Sequence, residues 1–142
     1  MKKKKPKKII YKNKKQVFEK VKNFLIPQFK KIKEIDKVLI WGSLINKSFG
    51  VYSKPYMHHT ASDIDIIVFL KPGAEVPNDF KYLNVDKTWF KGYKPRNFRK
   101  FIYEGNLHKV DILLVKPEFN ETWVRKRIKK IKGGFVKRIY KK

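Results

Sequence analysis

Residues 15–35 place Val17, Val21, Phe24, Leu25, Phe29, Ile32 and Ile35 at steps of three and four, with lysines and other polar residues between them. Residues so spaced share one helical face, so the stretch predicts an amphipathic helix. Pro27 lies inside it and is expected to kink or split it, because proline removes an amide donor. The pattern then changes. KVLIWGS, 37–43, is a short apolar run and predicts a strand ending at Gly42-Ser43. LINKSFG, 44–50, predicts a short helix closed by Gly50. VYSKPYMHHT, 51–60, shows no period and predicts a loop. SDIDIIVFL, 62–70, predicts a strand, followed by a loop rich in Pro and Gly. Residues 80–95 are ambiguous. Residues 96–115 predict a β-hairpin turning at Gly105-Asn106, 118–131 a helix, and the chain's end a turn and a last strand. This order predicts an α+β (or α/β) fold, a small mixed β-sheet flanked by helices and covered mainly on one face.

A length of 142 residues suits one domain with one core. Residues 1–15 hold nine lysines and no acid, and are expected as a basic, flexible tail ahead of a single domain over 16–142. There is no cysteine, which excludes disulfides, thiolate-bound zinc and a thiol nucleophile. No apolar run approaches the ~18 residues of a membrane span. The basic N-terminus has no apolar stretch behind it, so it does not read as a secretory signal, and a cytoplasmic protein without a membrane partner is expected. Charge changes the picture most. Lys plus Arg number 37 against 12 acids, a net +25 with a pI near 10.2. That excess points to a polyanionic partner, nucleic acid above all, with RNA favoured over DNA. Arginine is scarce, which suits phosphate contact better than base reading.

Candidate chemistry sits in the apolar runs. Side chains alternate along a strand, so Asp63 and Asp65 point the same way, opposite to Ile64 and Ile66. Two adjacent carboxylates repel unless a cation lies between them, and hard divalent cations favour such oxygens. A strand leading into Gly42-Ser43 and a helix N-terminus would suit a phosphate. HKVDILLV, 108–115, sets Asp111 near the start of another apolar strand. Carboxylates at neighbouring strand ends can hold two metals for in-line nucleotidyl displacement.

WGS…SDIDIIVF…VDILLV resembles the nucleotidyltransferase superfamily that includes DNA polymerase beta, most of all its minimal single-domain members. The similarity covers roughly residues 37–140, including the closing IKGGFVKRIY. It implies a polymerase-beta-like fold. It implies that Gly42 and Ser43 hold the triphosphate of an NTP, with ATP as donor. It implies that Asp63 and Asp65 bind two Mg²⁺ (or Mn²⁺) ions. Asp111 would bind the catalytic metal and help activate an acceptor hydroxyl, on RNA or DNA, with pyrophosphate leaving. Two departures stand out. The Ser43-to-Asp63 spacing exceeds the family's usual one, and INKSFG stands where relatives often carry Arg-Gly, leaving Lys47 as the substitute phosphate contact.

Other residues have weaker readings. Ser62 reads as a local turn or cap residue. His58 and His59 read as exposed loop residues, or as metal ligands or a base. His108 should face away from Asp111, and Lys109 shares Asp111's face and can meet a phosphate. The aromatics of residues 88–101 alternate with Lys and Arg, as in a half-buried sheet or a base-stacking surface. The rival functions are a toxin–antitoxin type protein adenylyltransferase, in which a protein partner supplies the acceptor, and an inactive basic nucleic-acid-binding module.

Overall fold

A computed structural model describes residues 6–56, 59–131 and 134–142. Among these the order is β1 (Lys8–Ile10), α1 (Lys14–Lys31), β2 (Ile35–Trp41), β3 (Gly50–Tyr56), β4 (His59–Ala61), β5 (Ile64–Leu70), β6 (Phe80–Asp86), β7 (Phe90–Pro95), β8 (Lys100–Tyr103), β9 (Asn106–Val115), α2 (Glu121–Lys129) and β10 (Val136–Lys141). The fold is mixed α+β and mostly sheet. The larger sheet has the order β10-β2-β5-β9-β7-β6, with β8 also paired to β9, and the smaller sheet has the order β1-β3-β4. β5 and β9 run parallel, and the other pairs are antiparallel.

The central strands are apolar on both faces, as strands covered on both sides must be. Val38, Ile40, Ile64, Ile66, Val68 and Ile112 pack towards Val17, Val21, Leu25 and Phe29 of α1. Leu39, Ile67, Phe69 and Val115 pack towards Val124 and Ile128 of α2. The sheet is therefore covered on both faces by helices, not mainly on one. α1 starts at an Asn13 cap, whose side chain accepts from the Gln16 amide, and it runs through Pro27 without splitting. Its buried stripe continues past the proline. Each such side chain stabilises by roughly 1.5–3 kcal/mol, which outweighs the ~3 kcal/mol of one interior proline.

Four local expectations change. Residues 44–50 form a turn rather than a helix. The amides of Ile45 and Asn46 both donate to the Gly42 carbonyl, Lys47 has a left-handed φ of 66°, and Gly50 opens β3. Residues 51–60 were expected as a loop, but their described part belongs to β3 and β4, which pair with each other. β1 adds to β3 on its other side, so the basic arm lies on the body from Lys8 onward. Gly50 permits this approach, because a Cβ there would lie 2.1 Å from the Ile9 carbonyl oxygen. Residues 80–95 form the β6–β7 hairpin. The β8–β9 hairpin turns one residue earlier than predicted, at Glu104-Gly105, whose φ angles of 49° and 75° suit a two-residue primed turn.

Candidate functional site

The larger sheet carries a polar row at one end. Trp41, the last residue of β2, pairs with Asp65 of β5, and Asp65 pairs with Asp111 of β9. All three point to the α2 side of the sheet, as alternation from Ile64, Ile66, Val110 and Ile112 requires. Asp63 stands one residue before β5, within hydrogen-bonding reach of Asp111. The three predicted acids are thus brought together, each half-buried.

Gly42 follows Trp41 and turns the chain away with a φ of +86°. A Cβ there would come within 3.1 Å of Asp65 Oδ2, so the glycine backbone lies against that carboxyl. Ser43 follows in the same turn, and its carbonyl accepts from the Ser48 amide. Lys47 goes elsewhere. It lines a separate cavity of about 460 Å³ with Lys14, Lys15, Phe18, Leu44, Ile45 and Lys137, a group that contains none of the acids.

Electrostatics single out the acid row. Burial, then the charges of Asp111 and Asp63, push the Asp65 carboxyl up to about 7. Burial, then the charge and hydrogen bond of Asp63, push Asp111 up to about 6, against the pull of His59 and Lys109. The acids destabilise one another's charged forms, as crowded carboxylates do without a cation between them. Among the described residues, no group of three or more His, Cys, Asp or Glu is arranged to hold a metal ion by itself.

The chain entering Asp63 is held from the opposite face. His108 is fully buried, away from Asp111 as its place on the strand predicts. Its Nδ1 lies 2.8 Å from the Ser62 carbonyl oxygen, which can only accept, so Nδ1 carries the hydrogen. Nε2 then accepts from the Tyr11 hydroxyl at 2.7 Å. The Ser62 hydroxyl accepts from the Gly50 amide at 3.1 Å. Burial pushes the His108 ring down from its ordinary value, against its bond to the Ser62 carbonyl and the charge of Asp63.

Sequence reasoning undervalued His59. Its Nδ1 lies 3.4 Å from Asp63 Oδ1, so it belongs to the acid group. His58 lies outside the described residues. Lys94, Arg99 and Lys100, from the basic stretch 88–101 that the sequence read as a half-buried sheet or a base-stacking surface, line a cleft with Lys109 and Asp111. Pairing of β7 and β8 with β9 brings this stretch to Lys109 and Asp111, which the local pattern does not show. The aromatics of residues 88–101 go mainly to the core, with Trp89, Tyr93, Phe98 and Phe101 all buried. The Trp41 indole N–H is buried without a partner among the described residues. Among the described residues, no helix is long and apolar enough to cross a membrane.

The chain matches no family model, no curated protein and no solved structure.

Proposed function

We propose that this chain is a metal-dependent nucleotidyltransferase of the polymerase-beta-like kind. One observation carries the reading: β2, β5 and β9 lie side by side so that Gly42, Asp65 and Asp111 meet at one sheet end. The donor set supports a hard divalent cation. Three carboxyls supply oxygen ligands, and burial and neighbouring carboxylates push Asp65 and Asp111 up although His59 and Lys109 pull Asp111 the other way. They do not close a cage alone, so water and substrate phosphate oxygens would have to complete it, which is how Mg²⁺ commonly binds. Asp63, Asp65 and Asp111 would hold the ions. When bound, Mg²⁺ supplies charge neutralisation for the triphosphate and for the attacking and leaving oxygens.

The protein's own part follows. The Gly42–Ser43 turn receives the donor's phosphates through its backbone and the Ser43 hydroxyl, without the helix N-terminus that the sequence suggested. The acceptor hydroxyl attacks the α-phosphorus. A new oxygen–phosphorus bond forms while the bond from the α-phosphorus to the bridging oxygen breaks. The hydroxyl proton passes to the Asp111 carboxylate, and pyrophosphate leaves. The donor is ATP or another NTP, and the charge of +25 favours a nucleic-acid acceptor.

The test is incubation with each α-³²P-labelled NTP, Mg²⁺ or Mn²⁺, and total cellular RNA and protein. The wild type should label RNA, and Asp63→Ala/Asp65→Ala should label nothing. Label in protein instead would move the acceptor to a partner protein. No label with any NTP and either metal would overturn the reading in favour of an inactive basic binding module.

A further inference from the structure

We infer that the cleft beside Asp111 seats a single strand of nucleic acid, its phosphates on Lys94, Arg99, Lys100 and Lys109 and its end directed at Asp111. This deepens the nucleotidyltransferase reading and rests on it for the role of Asp111.

The cleft is a cavity of about 350 Å³, lined by those four cations with Val110 and Asp111. Three strands build it. β8 and β9 set Lys100 directly opposite Lys109. β6 and β7 set Lys81 directly opposite Lys94. Tyr93 pairs with Ile112, so the next residue of β7, Lys94, runs beside Asp111. Like charges directly opposite each other destabilise a sheet. Two such pairs flank this cleft, and among the described residues none of its four cations forms an ion pair with an acid. The repulsion is relieved by a ligand carrying several negative charges at regular spacing, as a phosphodiester chain does.

The cleft's position separates donor from acceptor. Across the sheet the order is Gly42 against Asp65, then Asp111, then Lys94. A triphosphate at Gly42-Ser43 therefore approaches the acids from one flank, and the cationic cleft lies on the other. A strand lying there brings a terminal ribose hydroxyl to the carboxyl that takes its proton.

The probes are fluorescein-labelled single-stranded RNA and DNA of about a dozen nucleotides, a size typical of strand-tracking grooves. Lys100→Glu/Lys109→Glu changes two exposed side chains, and unchanged melting establishes that the fold stands. This variant should bind both oligonucleotides at least about tenfold more weakly, with a salt slope shallower by about 0.7 for each phosphate no longer neutralised. Lys126→Glu/Lys129→Glu, on the exposed face of α2, should bind close to wild type. In transfer assays the cleft variant should raise KM for the oligonucleotide and leave KM for the NTP unchanged.

Unchanged oligonucleotide binding in the cleft variant overturns the proposal. So does equal loss in the α2 variant, which would mean diffuse attraction. A raised KM for the NTP would make the cleft the donor's phosphate seat. Competition by polyglutamate as strong as by RNA would make the partner an acidic protein. Failure of the broader reading looks different: no NTP is consumed, yet oligonucleotide binding still depends on Lys100 and Lys109.

Discussion

At Gly42 a single hydrogen is what keeps the site open. Its φ of +86° lies in the left-handed region, and a methyl group there would press on Asp65 Oδ2 at 3.1 Å. Gly42→Ala should cost about 1–3 kcal/mol in chemical denaturation and should also cut nucleotide transfer, because Asp65 must move. Asp65 itself makes a pH-dependent prediction. In the unfolded chain its carboxyl titrates near the ordinary value, and in the fold near 7. The folded protein therefore binds more protons between those limits, and this residue's contribution to stability falls as pH rises from about 4 to about 7. Asp65→Asn removes the charge and keeps the shape. It should melt higher than wild type at pH 8, by an amount on the order of 3–4 kcal/mol without divalent cations, and match it near pH 4. Equal melting at pH 8 would mean that the buried charge is already neutralised.

Among the elements, β1 acts as a strap. It holds β3, and just beyond it Tyr11 reaches His108, which in turn holds the carbonyl beside Asp63. Tyr11→Phe leaves His108 Nε2 buried without a donor, at about 1–3 kcal/mol. Amide exchange in β1 and β3 should quicken more than in β2 and β5, and equal protection would place the anchor elsewhere. α2 is fixed by another residue, Glu121, which meets Arg125, Lys37 and Arg138 from α2, β2 and β10. Despite burial, the hydrogen bond from Arg125 and the charges of Lys37 and Arg138 hold its carboxyl below the ordinary range. Glu121→Gln should lower stability by about 1–2 kcal/mol at neutral pH, and the difference should shrink as pH falls through the titration of the wild-type carboxyl. These elements differ in how legible they are. β2, β5 and β9 announce themselves by apolar runs, and alternation within them correctly separated Asp65 and Asp111 from their core neighbours. Their apolarity on both faces also implied α2's cover, which the expectation of a one-sided sheet overlooked. β3 hid itself. Val51 and Tyr52 are half-buried, Ser53, Lys54 and Pro55 are exposed, and the strand depends on backbone pairing with Lys8–Ile10, which leaves no period to read. Lys47 drew notice by its place in the chain, and Lys109 by sharing Asp111's face, whereas the meeting of Lys94, Arg99 and Lys100 with Lys109 and Asp111 depends on β7 and β8 pairing with β9.

For the molecule as a whole, a charge of +25 on 142 residues means self-repulsion in the compact state. Added NaCl screens it, since the Debye length shrinks from about 10 Å at 0.1 M to about 3 Å at 1 M. Melting temperature should rise with salt when no polyanion is present, and a fall would show that the ion pairs around Glu121 outweigh the repulsion. The same charge protects the sheet's outer strand. β10 exposes Lys137, Arg138 and Lys141, and lysine-rich edges resist pairing with a second molecule's edge.

The parallel pairing of β5 with β9 has a consequence for biosynthesis. A chain leaving the ribosome presents Gly42, Asp63 and Asp65 early, while Asp111 is still unmade. β9 is inserted between β5 and β7, with β8 folded back on it, and non-local pairing of this kind is slow to form. A nascent chain stalled at residue 105 would own two carboxylates and no third, and an unfinished cationic cleft. The acid row gains Asp111, and the cleft gains Lys109, only when β9 takes its place beside β5.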